Sequence, residues 1–187
     1  MTTDAEMQEV IKKLINWLGD DLDRPGLLET PARVVSAWKE WCSGYGKDPS
    51  SIFKSFEDGA EDYDQMILVK EIPFYSHCEH HLAPIFGRIA IGYIPDGRVV
   101  GLSKLSRLVD IYARRLQVQE RLTNQIAEAL YTHLKPKGVA VMVSARHLCM
   151  ESRGINRTGS ITVTTALRGV LRTEAKALSE FYSMTKL

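Results

Sequence analysis

The order of helical and strand patterns along this chain predicts an α+β fold: two helices, three strands, two helices, two strands and a closing helix. Two observations carry that prediction. Apolar periodicity switches between the helical and the alternating type in separate blocks. Successive strand-like runs are joined by short turns such as Pro95-Asp96-Gly97-Arg98, which favours antiparallel pairing.

The first helix opens with Thr3 and Glu6, spaced for a capping box. It carries Met7, Val10, Ile11, Leu14, Ile15 and Leu18 at helical spacing, and Gly19-Asp20-Asp21 ends it. Thr30-Pro31 reads as an N-cap followed by proline in the first turn, and the second helix runs to about Cys42 with Val34, Val35, Trp38 and Trp41 on one side. Cys42 reads as structural. Ser43 to Asp64 is polar and reads as a connector anchored by Phe53 and Phe56. The expected organisation is a helical region and connector over 1–64 and a main domain over 65–187.

Gln65 to Tyr75 and Pro84 to Pro95 read as strands, and Val99 to Leu102 as a short return strand. Ser103 reads as an N-cap, followed by the stripe Leu105, Leu108, Val109 and Tyr112. Val118 to Leu134 is a further helix, stopped by Lys135-Pro136-Lys137-Gly138. Its His133 reads as an ordinary helix residue. Strands at 139–150 and 160–171 flank a polar loop with Arg153-Gly154 and Asn156-Arg157, and a helix over 173–183 closes the chain. Such a sheet has edges that need pairing, so a homo-oligomer is expected.

Composition narrows the function. Of 187 residues 44% are hydrophobic, and the net charge is +1, which argues against a general nucleic-acid or membrane binder. The three cysteines are far apart and do not form a disulfide framework, so a reducing compartment fits. The start, Met1 to Glu6, has no signal-peptide pattern and no run is long enough to span a bilayer. The expectation is a cytoplasmic protein with no nucleic-acid or membrane partner.

His77-Cys78-Glu79-His80-His81 concentrates chemistry. Cys78 and His81, three apart, fall on one side of a helical turn and form half a zinc site. A Cys-x-x-His pair alone serves core packing as often as metal. Alternation over Val139 to Met150 puts His147 and Cys149 on one strand face, and Cys149 would complete a Cys-His-Cys set. Three ligands leave a tetrahedral position open for water, the mark of a catalytic rather than a structural zinc. His80 and His147 remain as proton carriers.

Three further clusters hold polar groups suited to a substrate. Ser103 with Lys104 and Arg107 offers amides and cations to an anion, or is a capped helix with a solvated basic face. Gln119-Glu120 offers a carboxylate that guanine could donate to, or is ordinary first-turn acidic enrichment. Arg153 and Arg157 could clamp phosphate or belong to a polar loop. Arg114 and Arg115 read as a solvated face.

Together these pieces resemble GTP cyclohydrolase I. The matching stretches are Cys78-Glu79-His80-His81, Gly101-Leu102-Ser103-Lys104 with Arg107, Val118-Gln119-Glu120-Arg121-Leu122-Thr123, and His147-Leu148-Cys149 with Arg153-Gly154. Gly26 to Arg33 matches as well. One departure is Pro84-Ile85-Phe86, where the family often has Pro-Phe, a change that bears on packing.

The resemblance implies a tunnelling fold: an antiparallel sheet with helices on one side, preceded by the N-terminal helical pair. Sheets of neighbouring subunits join into a barrel, in a decamer of two pentamers with sites between subunits. It implies hydrolysis of GTP to formate and 7,8-dihydroneopterin triphosphate through water attack at purine C8, ring opening, ribose rearrangement and reclosure. It implies Zn2+ on Cys78, His81 and Cys149, and His80, His147 and Ser103 as catalytic groups. Gln119 and Glu120 would hold the guanine edge, and Lys104, Arg107 and Arg153 the triphosphate, with Arg33 a weaker candidate. Two rival readings stay open here: a nicotinamide-dependent nitrile reductase of the same fold, and a zinc-stabilised regulatory protein with Cys42 as fourth ligand.

Overall fold

The structure is a computed structural model that describes residues 2–53, 62–186 and the backbone of 55–56. The Phe56 side chain and part of the Ser43–Asp64 connector lie outside the described residues. The chain divides into two compact units, Met1–Ser43 and Gly44–Leu187.

In the first unit, α1 (Asp4–Trp17) starts with a reciprocal capping box. Thr3 Oγ1 accepts from the Glu6 amide at 3.2 Å, and Glu6 Oε2 accepts from the Thr3 amide at 2.7 Å. The second helix, α2 (Thr30–Trp41), corrects the expected cap. Glu29 is the N-cap without a side-chain bond, because Thr30 is already helical and its hydroxyl donates back to Gly26 O at 3.3 Å. Trp38 and Trp41 meet edge to face at 5.4 Å.

In the second unit, a 3-10 turn (Pro49–Ile52) leads to β1 (Ser55–Phe56), which pairs with β4 (Val99–Val100) in a small two-stranded sheet. The main sheet has the order β5-β2-β3-β6-β7, with β2 (Ile67–Cys78), β3 (Pro84–Ile94), β5 (Leu116–Gln117), β6 (Gly138–His147) and β7 (Thr162–Gly169). All its pairings are antiparallel except β2 with β5. A two-residue strand following α3 (Leu102–Ala113) has too little pattern to read, so β5 has no counterpart in the sequence expectation. Between Val69 and Ile72 the register slips at a bulge, where Glu71 takes φ 59.

Alternation sorts the sheet into two faces. Ile85, Ile89, Ile91 and Tyr93 on β3, with Val139, Val141 and Val143 on β6, pack under α3 and α4 (Gln119–Leu134) through Leu105, Leu108, Leu122, Ile126 and Leu130. The opposite face carries Ala90 and Ala140 against α6 (Val170–Thr173) and α7 (Ala175–Lys186) through Leu171, Ala177 and Phe181. Helices therefore cover both faces, not one. The C-terminal helix turns under the sheet because Phe181, fully buried, fills the space over Gly92. The other end of this second face leaves Tyr75 and Val163 exposed. His133, near the end of α4, stacks on Phe53 at 5.1 Å.

Three other boundaries differ. Helix α3 starts two residues early, with Gly101 as N-cap and no side-chain bond, so Ser103 sits inside the first turn. The strand expected over 139–150 ends at His147, and Leu148–Glu151 form a short helix, α5. The closing helix runs to Lys186. No described helix is long and apolar enough to cross a membrane.

Strands β3 and β6 leave no room for a side chain at Gly87. A Cβ there would lie 2.0 Å from Ser144 O and 2.7 Å from Ala145 Cα, both backbone atoms that cannot swing away. Gly87→Ala should destabilise the fold by about 1–3 kcal/mol. Gly46→Ala, with nothing within 4 Å of the new methyl, should leave stability almost unchanged. Thermal unfolding of both variants at equal protomer concentration checks this, and equal midpoints would contradict the close approach.

Candidate metal centre

The strand ends assemble the site. Cys78 is the last residue of β2 and is 5% exposed. A tight turn follows it: the Cys78 amide donates to Ala83 O at 2.8 Å, and Leu82 N–H donates back to Cys78 O at 2.8 Å. Leu82 closes that turn at φ 56, a left-handed conformation unusual for a leucine. The turn sets His81 back beside the thiol, with Nδ1 3.9 Å from Cys78 Sγ.

Cys149 arrives from the end of β6, two strands across the sheet from β2. Because the chain leaves β6 at His147 and enters a helical turn, Cys149 does not share a strand face with His147 as alternation suggested. The helical turn carries its thiol to the β2 end instead. The ligand atoms of Cys78, His81 and Cys149 lie within 4.8 Å of one another, a group able to hold a metal ion. Tetrahedral zinc with ordinary Zn–S and Zn–N bonds separates a sulfur and a nitrogen ligand by about 3.6 Å, close to the Cys78–His81 spacing. Burial, and then the neighbouring Cys78, push the Cys149 thiol above its ordinary value. A metal ion bound at Cys149 would therefore displace a proton from the thiol to solvent.

Five other expected residues lie in the segments around this cluster. His80 is exposed, with Nδ1 3.9 Å from Cys78 Sγ. Arg153 Nη1 donates to His81 Nε2 at 3.3 Å. His147 Nε2 lies 2.7 Å from Gln119 Oε1, and burial lowers its pKa while the nearby Glu120 and Glu151 carboxylates oppose that. Glu120 is exposed in the first turn of α4; Gln119 is buried beneath it.

Ser103, Lys104 and Arg107 do not join the cluster. The C-terminal end of α3 abuts the Cys78 end of β2, where Ser76 Oγ donates to Arg115 O at 3.2 Å. Ser103 lies ten residues back along that helix, roughly 15 Å away. At that far end the Val100 amide donates to Tyr93 Oη at 3.3 Å, near the start of β2.

Sequence reasoning missed the groups that hold these loops. Arg121 pairs with Glu79, and its Nε donates to Gln117 Oε1 at 3.0 Å, so the ligand turn is tied to α4. The Glu79 amide donates to Gln117 O at 3.1 Å. Glu151, with a side chain 4% exposed, receives Arg146 through two bonds of 2.9 and 2.5 Å and the Gly159 amide at 3.2 Å. It folds the segment carrying Arg153 and Arg157 back onto β6. The spacing of Arg146 and Glu151 matches neither helix nor strand, which leaves no periodic signal to find them. Cys42 lies at the end of α2 in the first unit and is not one of the three clustered residues.

A family model described as GTP cyclohydrolase I matches residues 7–186. The chain is 57% identical over 175 residues to a GTP cyclohydrolase 1 of Janthinobacterium sp. (strain Marseille), a match that covers 94% of this chain and 88% of that protein. It is 55% identical to the GTP cyclohydrolase 1 of Nitrosospira multiformis, covering 94% and 92% of the two chains. It is 50% identical to that of Wolinella succinogenes, covering 94% and 93%.

The Arg146 guanidinium on Glu151, aided by the Gly159 amide, lowers the Glu151 carboxyl from 4.5 to about 2. A depressed folded pKa contributes stability above the unfolded value and loses it as pH falls toward the folded one. Stability should therefore drop between about pH 4.5 and pH 2 as Glu151 protonates. Glu151→Gln should be less stable at neutral pH and show a shallower decline over that window. Unfolding followed by circular dichroism across a pH series checks this; an unchanged acid limb would contradict it.

Proposed function

The chain belongs to the GTP cyclohydrolase I family, and from that premise we propose that it hydrolyses GTP to formate and 7,8-dihydroneopterin triphosphate at the Cys78–His81–Cys149 centre. The observation that carries this reading is the convergence of two thiols and an imidazole from separate strand ends within 4.8 Å, with His147 held close by on β6. Three protein ligands fit zinc with one position open. Bound there, zinc would bring the pKa of a water toward neutrality and so supply the nucleophile for the attack at purine C8 and for release of formate.

The chain's own groups do the rest. His147, whose burial favours the neutral ring, exchanges a proton with the purine as its imidazole opens. His80, exposed beside Cys78, and Ser103 serve the proton transfers of ribose opening and ring reclosure. The Glu120 carboxylate accepts from the guanine N1–H and amino group, helped by the N-terminal end of α4. An adenine would leave that carboxylate facing an acceptor, a strong ground for rejection. Lys104, Arg107 and Arg153 hold the triphosphate, Arg153 as a planar fork and Lys104 as a point charge.

Along α3, Ser103 and Lys104 lie roughly 15 Å, and Arg107 roughly 9 Å, from the end that abuts Cys78 in one chain. We take them as supplied by a neighbouring subunit, in a tunnelling-fold barrel whose sheets join through edges such as β7 and which assembles as a decamer of two pentamers. All the named groups fall in 65–187, the stretch we assign as the catalytic domain. Free thiol ligands suit the reducing cytoplasm.

Two experiments test this. Zinc-loaded protein should release formate and dihydropterin from GTP. Chelation should stop it, and Cys149→Ala should weaken zinc affinity more than about 100-fold. Turnover that survives both changes would sink the metal reading. Lys104→Ala and Cys149→Ala proteins should each be inactive, whereas co-assembled mixtures should regain about a quarter of wild-type sites. Mixtures as inactive as their parents would place Lys104 and the metal ligands in one subunit.

A further inference from the structure

The side chain of Gln119 has no polar atom left for a substrate. It is 2% exposed, and both ends of its amide are engaged. Nε2 lies 3.2 Å from Val143 O, 3.0 Å from Thr162 O and 3.1 Å from Thr164 Oγ1. Backbone carbonyls only accept, so the amide NH2 must be at this end.

The neighbouring hydroxyls require the same orientation. Thr123 Oγ1 donates its single proton to Gln119 O at 2.7 Å. The 2.6 Å contact between the Thr123 and Thr164 hydroxyls is therefore made with the proton of Thr164. That leaves Thr164 Oγ1 an acceptor toward Gln119, which again calls for the NH2 group.

The carbonyl end of Gln119 then faces His147 Nε2 at 2.7 Å. An amide oxygen can only accept, so Nε2 carries the hydrogen. A neutral imidazole has one N–H, and its lone pair must lie on Nδ1. We propose that Gln119 is a positioning residue that holds His147 as the Nε2–H tautomer, so that every proton His147 exchanges passes through Nδ1.

This rests on the reading of His147 as a proton carrier and replaces a guanine-edge role for the Gln119 side chain. The proton balance is simple. Nδ1 takes a proton, the imidazolium keeps its Nε2–H on Gln119, and Nδ1 returns the same proton. Gln119 neither gains nor loses one. Two strands, β6 and β7, thus set the tautomer through an amide that meets no substrate.

The test is nitrogen-15 spectroscopy of histidine-labelled, zinc-loaded wild type, with the His147 signals identified by their loss in His147→Asn. In the neutral ring Nε2 should be protonated and Nδ1 should show the lone-pair signal. A protonated Nδ1 with a bare Nε2 would overturn the proposal. This measurement needs no turnover, so it decides the tautomer even in a chain that releases no formate from GTP. Gln119→Met should give a mixture of tautomers at His147. Its kcat should fall about 10- to 100-fold with KM for GTP within about threefold of wild type. A KM raised tenfold or more with kcat kept would instead return Gln119 to the substrate.

Discussion

The register shared by β2, β3 and β6 is the constraint on which the Cys78–His81–Cys149 cluster depends. Ile85 opposes Ser76 on one side and His147 on the other, so a single residue aligns the end of β2 with the end of β6. Two residues past Ser76 stands Cys78, and two past His147 stands Cys149. A slip of one residue would displace a ligand by about 3.3 Å and turn its side chain to the other face. The register holds because Ile85, Ile89, Ile91 and Tyr93 are all buried under α3 and α4, and a slip would expose them together.

The loops at the strand ends are held by polar bonds of unequal weight. Glu79 and Arg121 are both partly exposed, and such a pair by itself contributes little. Its use here is geometric, because Arg121 also binds Gln117, which is 1% exposed and bonded to Tyr112 O and Gln125. The buried glutamine fixes the arginine, and the arginine fixes the turn that carries His80 and His81. Glu151 acts in the same manner after Cys149, with two bonds from Arg146 and one from a loop amide.

Cys78, His81 and Cys149 were legible in the sequence because thiols and imidazoles in apolar strand contexts are few and chemically distinctive. The reason offered for Cys149 was wrong: alternation kept it on β6, whereas a helical turn after His147 delivers it. The helices were readable from periodicity. The caps at Thr30 and Ser103 were not, because one hydroxyl sits one residue and the other two residues past the observed cap. The covering of the second sheet face by α7 depends on one distant contact, Phe181 over Gly92, which no local pattern reports. Gln119 read as part of a cluster for the substrate, and the neighbours of its side chain include backbone carbonyls of β6 and β7 that carry no sequence signature.

The three clustered residues also differ in when folding brings them together. Cys78 and His81 belong to one tight turn between adjacent strands, a local structure that closes quickly. Cys149 comes from beyond α3 and α4, and its placement waits for β6 to dock against β3, a pairing of high sequence separation. A nascent chain therefore offers a metal ion two ligands long before the third. Tight binding of an ion would arrive only when the sheet is complete, so it would be retained by chains that have finished folding and released by those that have not.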